Sequence, residues 1–198
     1  MFSGIVEATA PVLFVEKREN LVQVRVSRPV YFDDLKNGDS ISCNGVCLTV
    51  ESWDENSMQF SLANETLQVL KINADELRGQ VWNLERSLRF GDRVHGHLVT
   101  GHVEALGEVL RSEAVGESWF IDVRVPKNFS RYIWKKGSIA LQGVSLTVNE
   151  FADGVVSVCL IPETVKRTNL SAMKPGQLIN VETDYLAKAY FQGRDHAL

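Results

Sequence analysis

The sequence predicts an all-β protein of two similar halves, each a closed or nearly closed antiparallel barrel of about six short strands. Three observations predict it. The first is a duplication: Lys36-Asn37-Gly38-Asp39-Ser40-Ile41-Ser42-Cys43-Asn44-Gly45-Val46-Cys47-Leu48-Thr49-Val50 returns as Lys135-Lys136-Gly137-Ser138-Ile139-Ala140-Leu141-Gln142-Gly143-Val144-Ser145-Leu146-Thr147-Val148. Further pairs follow in the same order and at a near-constant offset: Gly4–Ala8 with Gly101–Ala105, Phe60–Thr66 with Val158–Thr164, and Gly79–Glu85 with Gly176–Glu182. Two units of about 90 residues fit a chain of this length, and the period is far too long for a solenoid. The second observation is two-residue alternation, and the third is recurrent turn chemistry.

Alternation is clearest in Val22-Gln23-Val24-Arg25-Val26 and in Trp119-Phe120-Ile121-Asp122-Val123-Arg124-Val125. Apolar side chains at every second residue mark a strand with one buried face. Asn44-Gly45 and Asp153-Gly154 separate such runs, and these dipeptides suit the positive φ of tight hairpins. Residues 31–35 and 129–134 precede the Lys/Gly turns at equivalent places and read as helical interruptions of one or two turns. The tail, from Asp184 to about Gln192, is rich in helix formers and carries apolar residues with no counterpart in the first copy. It reads as a docking or association helix. The expected division is 1–97, 98–186 and a tail of 187–198, with a joint near Phe90 to Leu98 and no Pro- or Ser-rich linker, so the halves should pack on each other.

Composition excludes several classes. The net charge is −4 with 21 basic and 25 acidic residues, and no basic stripe of the kind nucleic-acid binding requires is present. Residues 1–20 lack a basic start followed by an apolar run, so no signal peptide is expected. No segment approaches the ~20 apolar residues of a membrane span. Three cysteines, an odd number, favour reduced thiols in the cytoplasm over a disulfide scaffold.

Chemistry-bearing positions stand out against the repeat. In Val46-Cys47-Leu48-Thr49-Val50, Cys47 and Thr49 share the face opposite the valines; Ser145 and Thr147 share it in the second copy. A small polar group beside a threonine, outward from the apolar layer in both copies, makes a surface for a planar polar ligand. The competing explanation is simple β propensity and core filling. His95, His97 and His102 lie close in sequence, but no carboxylate or cysteine pair completes a metal set at a familiar spacing. His102 stands where the first copy has Ile5, which makes it a proton-transfer candidate, with a hydrogen-bonded joint histidine as the rival reading. Asp184 stands where the first copy has Ser87; a solvated loop aspartate is its plainer reading. The stretch Gly96–His102 fits neither a phosphate loop nor a dinucleotide fingerprint, and no serine shows nucleophile-elbow context.

Read together, Met1-Phe2-Ser3-Gly4-Ile5-Val6-Glu7, Asn44–Val50, Asn83-Leu84-Glu85-Arg86, Gly96–Val103, Gly143–Val148 and Asn180–Lys188 resemble the signatures of the riboflavin synthase family. They occur in the family's order over nearly the whole chain. The resemblance implies two six-stranded Greek-key barrels, a C-terminal helix that gathers a homotrimer, and a transferase acting in the last step of riboflavin biosynthesis. It implies dismutation of two molecules of 6,7-dimethyl-8-ribityllumazine by transfer of a four-carbon unit, giving riboflavin and 5-amino-6-ribitylamino-pyrimidinedione, with no cofactor and no metal. It admits an association with lumazine synthase.

Carried over by position, the resemblance implies a first-half pocket of Gly4, Ile5, Val6, Ser40, Cys47, Leu48, Thr49, the segment Ser61-Leu62-Ala63-Asn64-Glu65-Thr66, and Gly101-His102-Val103. The second-half pocket would hold Lys136, Ser145, Leu146, Thr147 and Cys159-Leu160-Ile161-Pro162-Glu163-Thr164. In this reading His102 and Thr147 assist loss of a proton from the C7 methyl of one lumazine, Ser145 polarised by Asp184 delivers a nucleophile to C7 of the other, and Phe2 and Cys47 shape the first-half site. The sequence departs from the family pattern at Gln68-Val69-Leu70-Lys71-Ile72-Asn73, at Gln142, and at Arg93-Val94-His95. The alternatives are a non-catalytic lumazine- or flavin-binding relative and a purely structural double barrel; retention of Cys47, His102, Ser145, Thr147 and Asp184 together favours the enzyme.

Overall fold

In the computed structural model, residues 1–71 and 73–195 are described. Ile72 of the departing segment and His196, Ala197 and Leu198 of the tail lie outside the described residues. The first half contains β1 (Ala8–Lys17), β2 (Leu21–Ser27), β3 (Ser40–Cys43), β4 (Val46–Thr49), β5 (Ser52–Trp53), β6 (Ser57–Ala63), helix α1 (Asn64–Leu70) and β7 (Val81–Arg86). The second contains β8 (Ala105–Val115), β9 (Ser118–Arg124), β10 (Ser138–Leu141), β11 (Val144–Ala152), β12 (Val155–Leu160), α2 (Pro162–Arg167), β13 (Leu178–Thr183) and α3 (Tyr185–Asp195).

The second half is a closed barrel, β10-β11-β12-β9-β8-β13, and the first winds in the same order as β4-β3-β7-β1-β2-β6-β5. All pairings between named strands are antiparallel. The halves differ at one strand. β11 runs unbroken through a bulge between Val148 and Glu150, whereas its first-half counterpart is cut into β4 and β5. Past Val50 the Glu51 N–H there donates to Gln59 O at 2.9 Å. A seventh short strand and an open ladder result, on the same barrel path.

The alternation reads correctly onto the strands. Val22, Val24 and Val26 are buried inside the first barrel, Ile121 and Val123 inside the second. Each such side chain contributes roughly 1.5–3 kcal/mol on burial. The turns are also as expected: Asn44 and Gly45 take φ 48° and 85°, Asp153 and Gly154 take 51° and 75°. Gln142-Gly143 adopts the same form at φ 48° and 77°, an unfavourable one for glutamine. Two helical expectations divide. Residues 127–132 form a 3-10 helix, but 31–35 are turn and bend without a helix; Arg28 and Tyr31 spend their side chains on Phe32 and Glu7 carbonyls instead. The tail does form α3. It docks on the second half through Arg131, which lies over the Phe191 ring at 4.7 Å and pairs with Asp195 at 2.7 Å.

The joint is built on a pseudo-two-fold. Phe2 and Val99 exchange both backbone hydrogen bonds at 2.8 and 3.1 Å. Around them several contacts occur twice. Glu85 accepts from Ser3 N, Ser3 Oγ and Gly4 N; Glu182 accepts from Thr100 N, Thr100 Oγ1 and Gly101 N. Asn83 Nδ2 donates to Gln142 O at 3.0 Å, and Asn180 Nδ2 donates to Asn44 O at 2.9 Å. Gly45 and Gly143 stand back to back: a Cβ on Gly143 would meet Gly45 N at 2.7 Å.

The entry segments cross over. Gly4 O accepts from Ser145 N at 2.7 Å and Gly101 O accepts from Cys47 N at 2.8 Å, so residues 1–6 complete the second half and residues 98–103 the first. Val6 belongs to the second barrel's core. The boundary at 97/98 therefore divides the chain by repeat, while each barrel borrows its neighbour's lead-in.

Two outcomes follow from this seam. Gly143→Ala combines a left-handed φ with a backbone collision and should cost about 2–4 kcal/mol by thermal or denaturant unfolding. Gly116→Ala, at φ 62° with nothing within 4 Å, should cost only about 1–2 kcal/mol; equal losses would show that the back-to-back contact is unimportant. The second concerns pH. Burial pushes the Glu85 carboxyl up from 4.5 to about 7, against the hydrogen bonds from Ser3 and Gly4. A group raised on folding stabilises fully below its unfolded value and loses that contribution as pH climbs through the folded value. Unfolding free energy should therefore fall between pH 4.5 and 7 by on the order of 2–3 kcal/mol, and Glu85→Gln should flatten that slope.

Candidate functional site

Each half presents one site beside the segment that crosses into it. In the second half, Ser145 lies on β11 against Gly4. A Cβ on Gly4 would meet Ser145 Cβ at 2.6 Å, and one on Gly96 would meet Ser145 Oγ at 2.7 Å and Ser3 O at 2.1 Å. Only glycine lets the two segments close on the serine this tightly. Gly96 in turn carries His97 inward, where its Nδ1 sits 2.7 Å from Ser145 Oγ. The His97 N–H donates to Ser3 O at 3.2 Å, which fixes the residue from the backbone side.

This pair differs from the one the sequence suggested. Asp184 does not touch Ser145. Its Oδ1 accepts from Leu186 N at 2.8 Å and its carbonyl accepts from Lys188 N at 3.1 Å, so it starts helix α3. The Asp184 charge acts on His97, as does that of Lys188. Burial holds the His97 imidazole below its ordinary pKa, Asp184 opposes this, and Lys188 adds to it. Lys188 is itself held by Glu104 at 2.8 Å, and Glu104 also accepts from Thr183 N and Oγ1. Nε2 of His97 is buried without a partner among the described residues.

In the first half Cys47 occupies the place of Ser145 and Gly101 the place of Gly4; a Cβ on Gly101 would meet Cys47 Cβ at 2.6 Å and the Phe2 ring at 3.0 Å. Phe2 is fully buried in a cluster with Val99, Ala140 and Cys47. It supports Cys47 from beneath and has no surface to offer a ligand. Among the described residues no imidazole stands by Cys47 as His97 stands by Ser145.

The remaining expected residues sort by face. Val6, Leu48, Leu62, Leu146 and Leu160 are buried apolar side chains of the barrel cores, so only their backbones reach a site. Ile5, Thr49, Ala63, Asn64, Glu65, His102, Lys136, Thr147, Ile161, Pro162 and Glu163 are exposed, while Ser40, Ser61, Thr66, Val103, Cys159 and Thr164 are half-buried. Gly4, Ile5 and Val6, expected in the first-half pocket, line the second half because of the crossover. Gly101, His102 and Val103 do lie against the first. Among the described residues the imidazole of His102 makes no hydrogen bond; its backbone N–H donates to Thr100 Oγ1 at 3.3 Å. Ile5 and Ser40 also open onto a basin of about 910 Å³ bordered by Arg86 and Arg89.

Sequence reasoning missed two features. His97 was weighed only as a metal ligand; Gly96 before it, and a polar Ser145 on a strand facing the joint, were the available signals. Helices α1 and α2 follow β6 and β12 directly, and neither has a side-chain cap at Ala63 or Ile161. Their first-turn N–H groups are thus left for an acceptor from outside.

Comparison with known proteins places this geometry. The lumazine binding domain model matches twice, over residues 3–87 and 100–184. Riboflavin synthase of Escherichia coli (strain K12) is 38% identical over 190 residues, covering 93% of this chain and 87% of that protein. Riboflavin synthase of Actinobacillus pleuropneumoniae is 34% identical over 188 residues, covering 95% and 87%. Among solved structures, LumP complexed with riboflavin superimposes with a TM-score of 0.83 at 23% identity, covering 92% of this chain and 99% of that one; at that identity the likeness speaks for the fold alone. With two lumazine binding domains and full-length relatives at this level of identity, the chain belongs to the riboflavin synthase family.

Proposed function

We propose that the protein converts two molecules of 6,7-dimethyl-8-ribityllumazine into riboflavin and 5-amino-6-ribitylamino-pyrimidinedione. The carrying observation is the pair of equivalent, chemically unequal sites at Cys47 and Ser145. One four-carbon unit leaves one ring system and joins the other, so atoms balance without oxidant or water. Identical reactants suit equivalent pockets, and holding them face to face supplies ~7–11 kcal/mol of a barrier by proximity and orientation.

Each lumazine lies over an outward strand face, with its imide and ribityl oxygens taken up by the open N–H groups of α1 or α2 and by Thr49, Thr66, Thr147 and Thr164. Ser145 is the reacting hydroxyl of the second-half site. Its proton is accepted by neutral His97, so that Ser145 oxygen or a water it orients adds at C7 of one lumazine. Asp184 stabilises charge that develops on His97 and so positions rather than touches the reactants. His102 and Thr147, both exposed, are free to meet the C7 methyl of the other lumazine and assist loss of its proton. Cys47, propped by Phe2, shapes the first-half site.

Both strand faces open to solvent within one chain, which supports a second protomer as the opposing wall. Exposed Leu186 and Tyr190 on α3 supply an apolar surface for a homotrimer in which the first half of one protomer faces the second half of a neighbour. The thiols of Cys43, Cys47 and Cys159 are free, and no described helix is long and apolar enough to cross a membrane; a reducing, cytoplasmic setting suits both.

Riboflavin formation from the lumazine, followed by absorbance, tests the reading directly; tight binding without product would leave a carrier protein instead. Ser145→Ala should lower kcat about 100-fold with lumazine affinity nearly unchanged. His97→Gln should lower kcat and also remove the acid limb of the pH–rate profile. Because the His97 pKa lies below 6.5, the wild-type rate should hold above that pH and decline only on acidification. A His97→Gln enzyme that keeps the wild-type profile would remove His97 from the mechanism. Light scattering should give three times the chain mass for the full protein and a smaller species when residues after Asp184 are deleted.

A further inference from the structure

Two buried carboxylates stand outside the reaction proposed above, and together they close a ring between the two sites. Glu85 on β7 and Glu182 on β13 are 4% and 2% exposed. In the first half Cys47, Ser42 and Glu85 lie side by side across β4, β3 and β7. In the second half Ser145, Ala140 and Glu182 lie side by side across β11, β10 and β13. Each glutamate thus starts from the row that carries its own half's candidate side chain and holds the strap that completes the other half's site.

The link from Glu85 to the second half is double. Glu85 Oε1 accepts from Ser3 N at 2.7 Å and from Ser3 Oγ at 2.9 Å, and Oε2 accepts from Gly4 N at 2.9 Å. The carbonyls of the same two residues face the second-half site: Ser3 O accepts from His97 N at 3.2 Å and Gly4 O from Ser145 N at 2.7 Å. One carboxylate therefore holds, through two strap residues, the backbones of both members of a pair whose side chains meet at 2.7 Å. Glu182 has a single such link, through Gly101 O to Cys47 N at 2.8 Å. Donors converge on both oxygens of Glu85, an arrangement that suits an ionised carboxylate and that an amide would spoil by turning its own N–H groups on one of them. Fold stability alone favours a neutral group at this place, because burial pushes the Glu85 carboxyl up to about 7 and so opposes ionisation.

We propose that Glu85 is a positioning residue for the second-half site: by fixing Ser3 and Gly4 from the first half, it sets His97 and Ser145 at the spacing at which imidazole and hydroxyl meet. It touches neither reactant. The assignment rests on the reading of Ser145 and His97 as the reacting pair, and it makes the site of one half depend on a side chain of the other. Any displacement of Gly4 passes directly to Ser145, because the gap between them has no room even for a Cβ.

The test reads the pair both with and without turnover. Imidazole signals of the full-length protein, labelled at histidine nitrogen, are recorded by NMR in weakly alkaline buffer, where Glu85 is ionised. Loss of one signal in His97→Gln assigns it to His97. Glu85→Gln should move the His97 signal toward its position in Ser145→Ala, where the contact is absent. Gly116→Ala, a destabilised control at an open hairpin, should leave it in place. In riboflavin formation Glu85→Gln should lower kcat about tenfold with KM nearly unchanged, and should have no further effect in the Ser145→Ala background. If Glu85→Gln does not fold, Ser3→Ala, which removes only the hydroxyl donor, should displace the same signal in the same direction by less. An unmoved His97 signal in the folded variant overturns the inference, as does a loss of turnover that is the same with and without Ser145. A wild-type protein that forms no riboflavin would overturn the proposed reaction instead, with the His97 signal still deciding the role of Glu85.

Discussion

The structure rests on the exchange of lead-in segments across the seam. Each barrel is completed by a strap that the chain delivers to the opposite half, and each strap is anchored by a buried glutamate from the half it leaves. Glu85 holds Ser3 and Gly4 while Gly4 packs on Ser145; Glu182 holds Thr100 and Gly101 while Gly101 packs on Cys47. The barrels cannot separate without exposing both carboxylates' donors and opening both sites. The close approach of Gly45 to Gly143 sets the distance at which this exchange works. That is why a Cβ is excluded at five glycines around one small region, and why site geometry and inter-barrel packing are a single constraint.

Symmetry also explains where the chemistry becomes unequal. The two straps are alike from Ser3 and Thr100 onward, and Gly96 and His97 lead into the second. The matching change on the other side is Asp184, which replaces Ser87 and opens helix α3. The serine–histidine pair thus stands in one copy of a duplicated fold, with the barrel path itself unchanged. Two like pockets of unlike reactivity are what a reaction between identical molecules needs, since one must give and the other receive.

Much of this was legible in the residues. Val22, Val24 and Val26 announce a buried face by spacing alone, and Asn44-Gly45 and Asp153-Gly154 announce their turns because few other residues tolerate those φ values. Cys47 and Ser145 do stand at matched places on their strands, as the alternation implied. What escaped has a common cause: it depends on contacts distant in sequence. Nothing local to Gly4 says that it lies on the second barrel, and nothing local to His97 says that its imidazole meets Ser145, 48 positions away. The helix expected at 31–35 failed because Arg28 holds the Phe32 carbonyl in a turn while Tyr31 reaches away to the Glu7 carbonyl. Helices α1 and α2 were hidden because they continue straight from strands whose alternation masks their short periods. Asp184 was expected beside Ser145, but it caps helix α3 and its charge reaches His97 instead, a contact that nothing local to it announces.

The electrostatics of His97 decide what Ser145 is able to do. A serine hydroxyl is a weak nucleophile unless a neutral base accepts its proton, so an imidazole that was already cationic would be useless to it. Two charges compete for His97. Asp184 alone would stabilise the imidazolium and raise the pKa, whereas Lys188, one helical turn further along α3, lowers it. Burial then decides the balance in favour of the neutral ring, because a buried imidazolium loses its hydration. Glu104 enters through Lys188: by fixing the ammonium at 2.8 Å it keeps that charge beside the histidine and at the same time ties α3 to the barrel. The docking of helix α3 on the barrel thus also sets which charges surround His97.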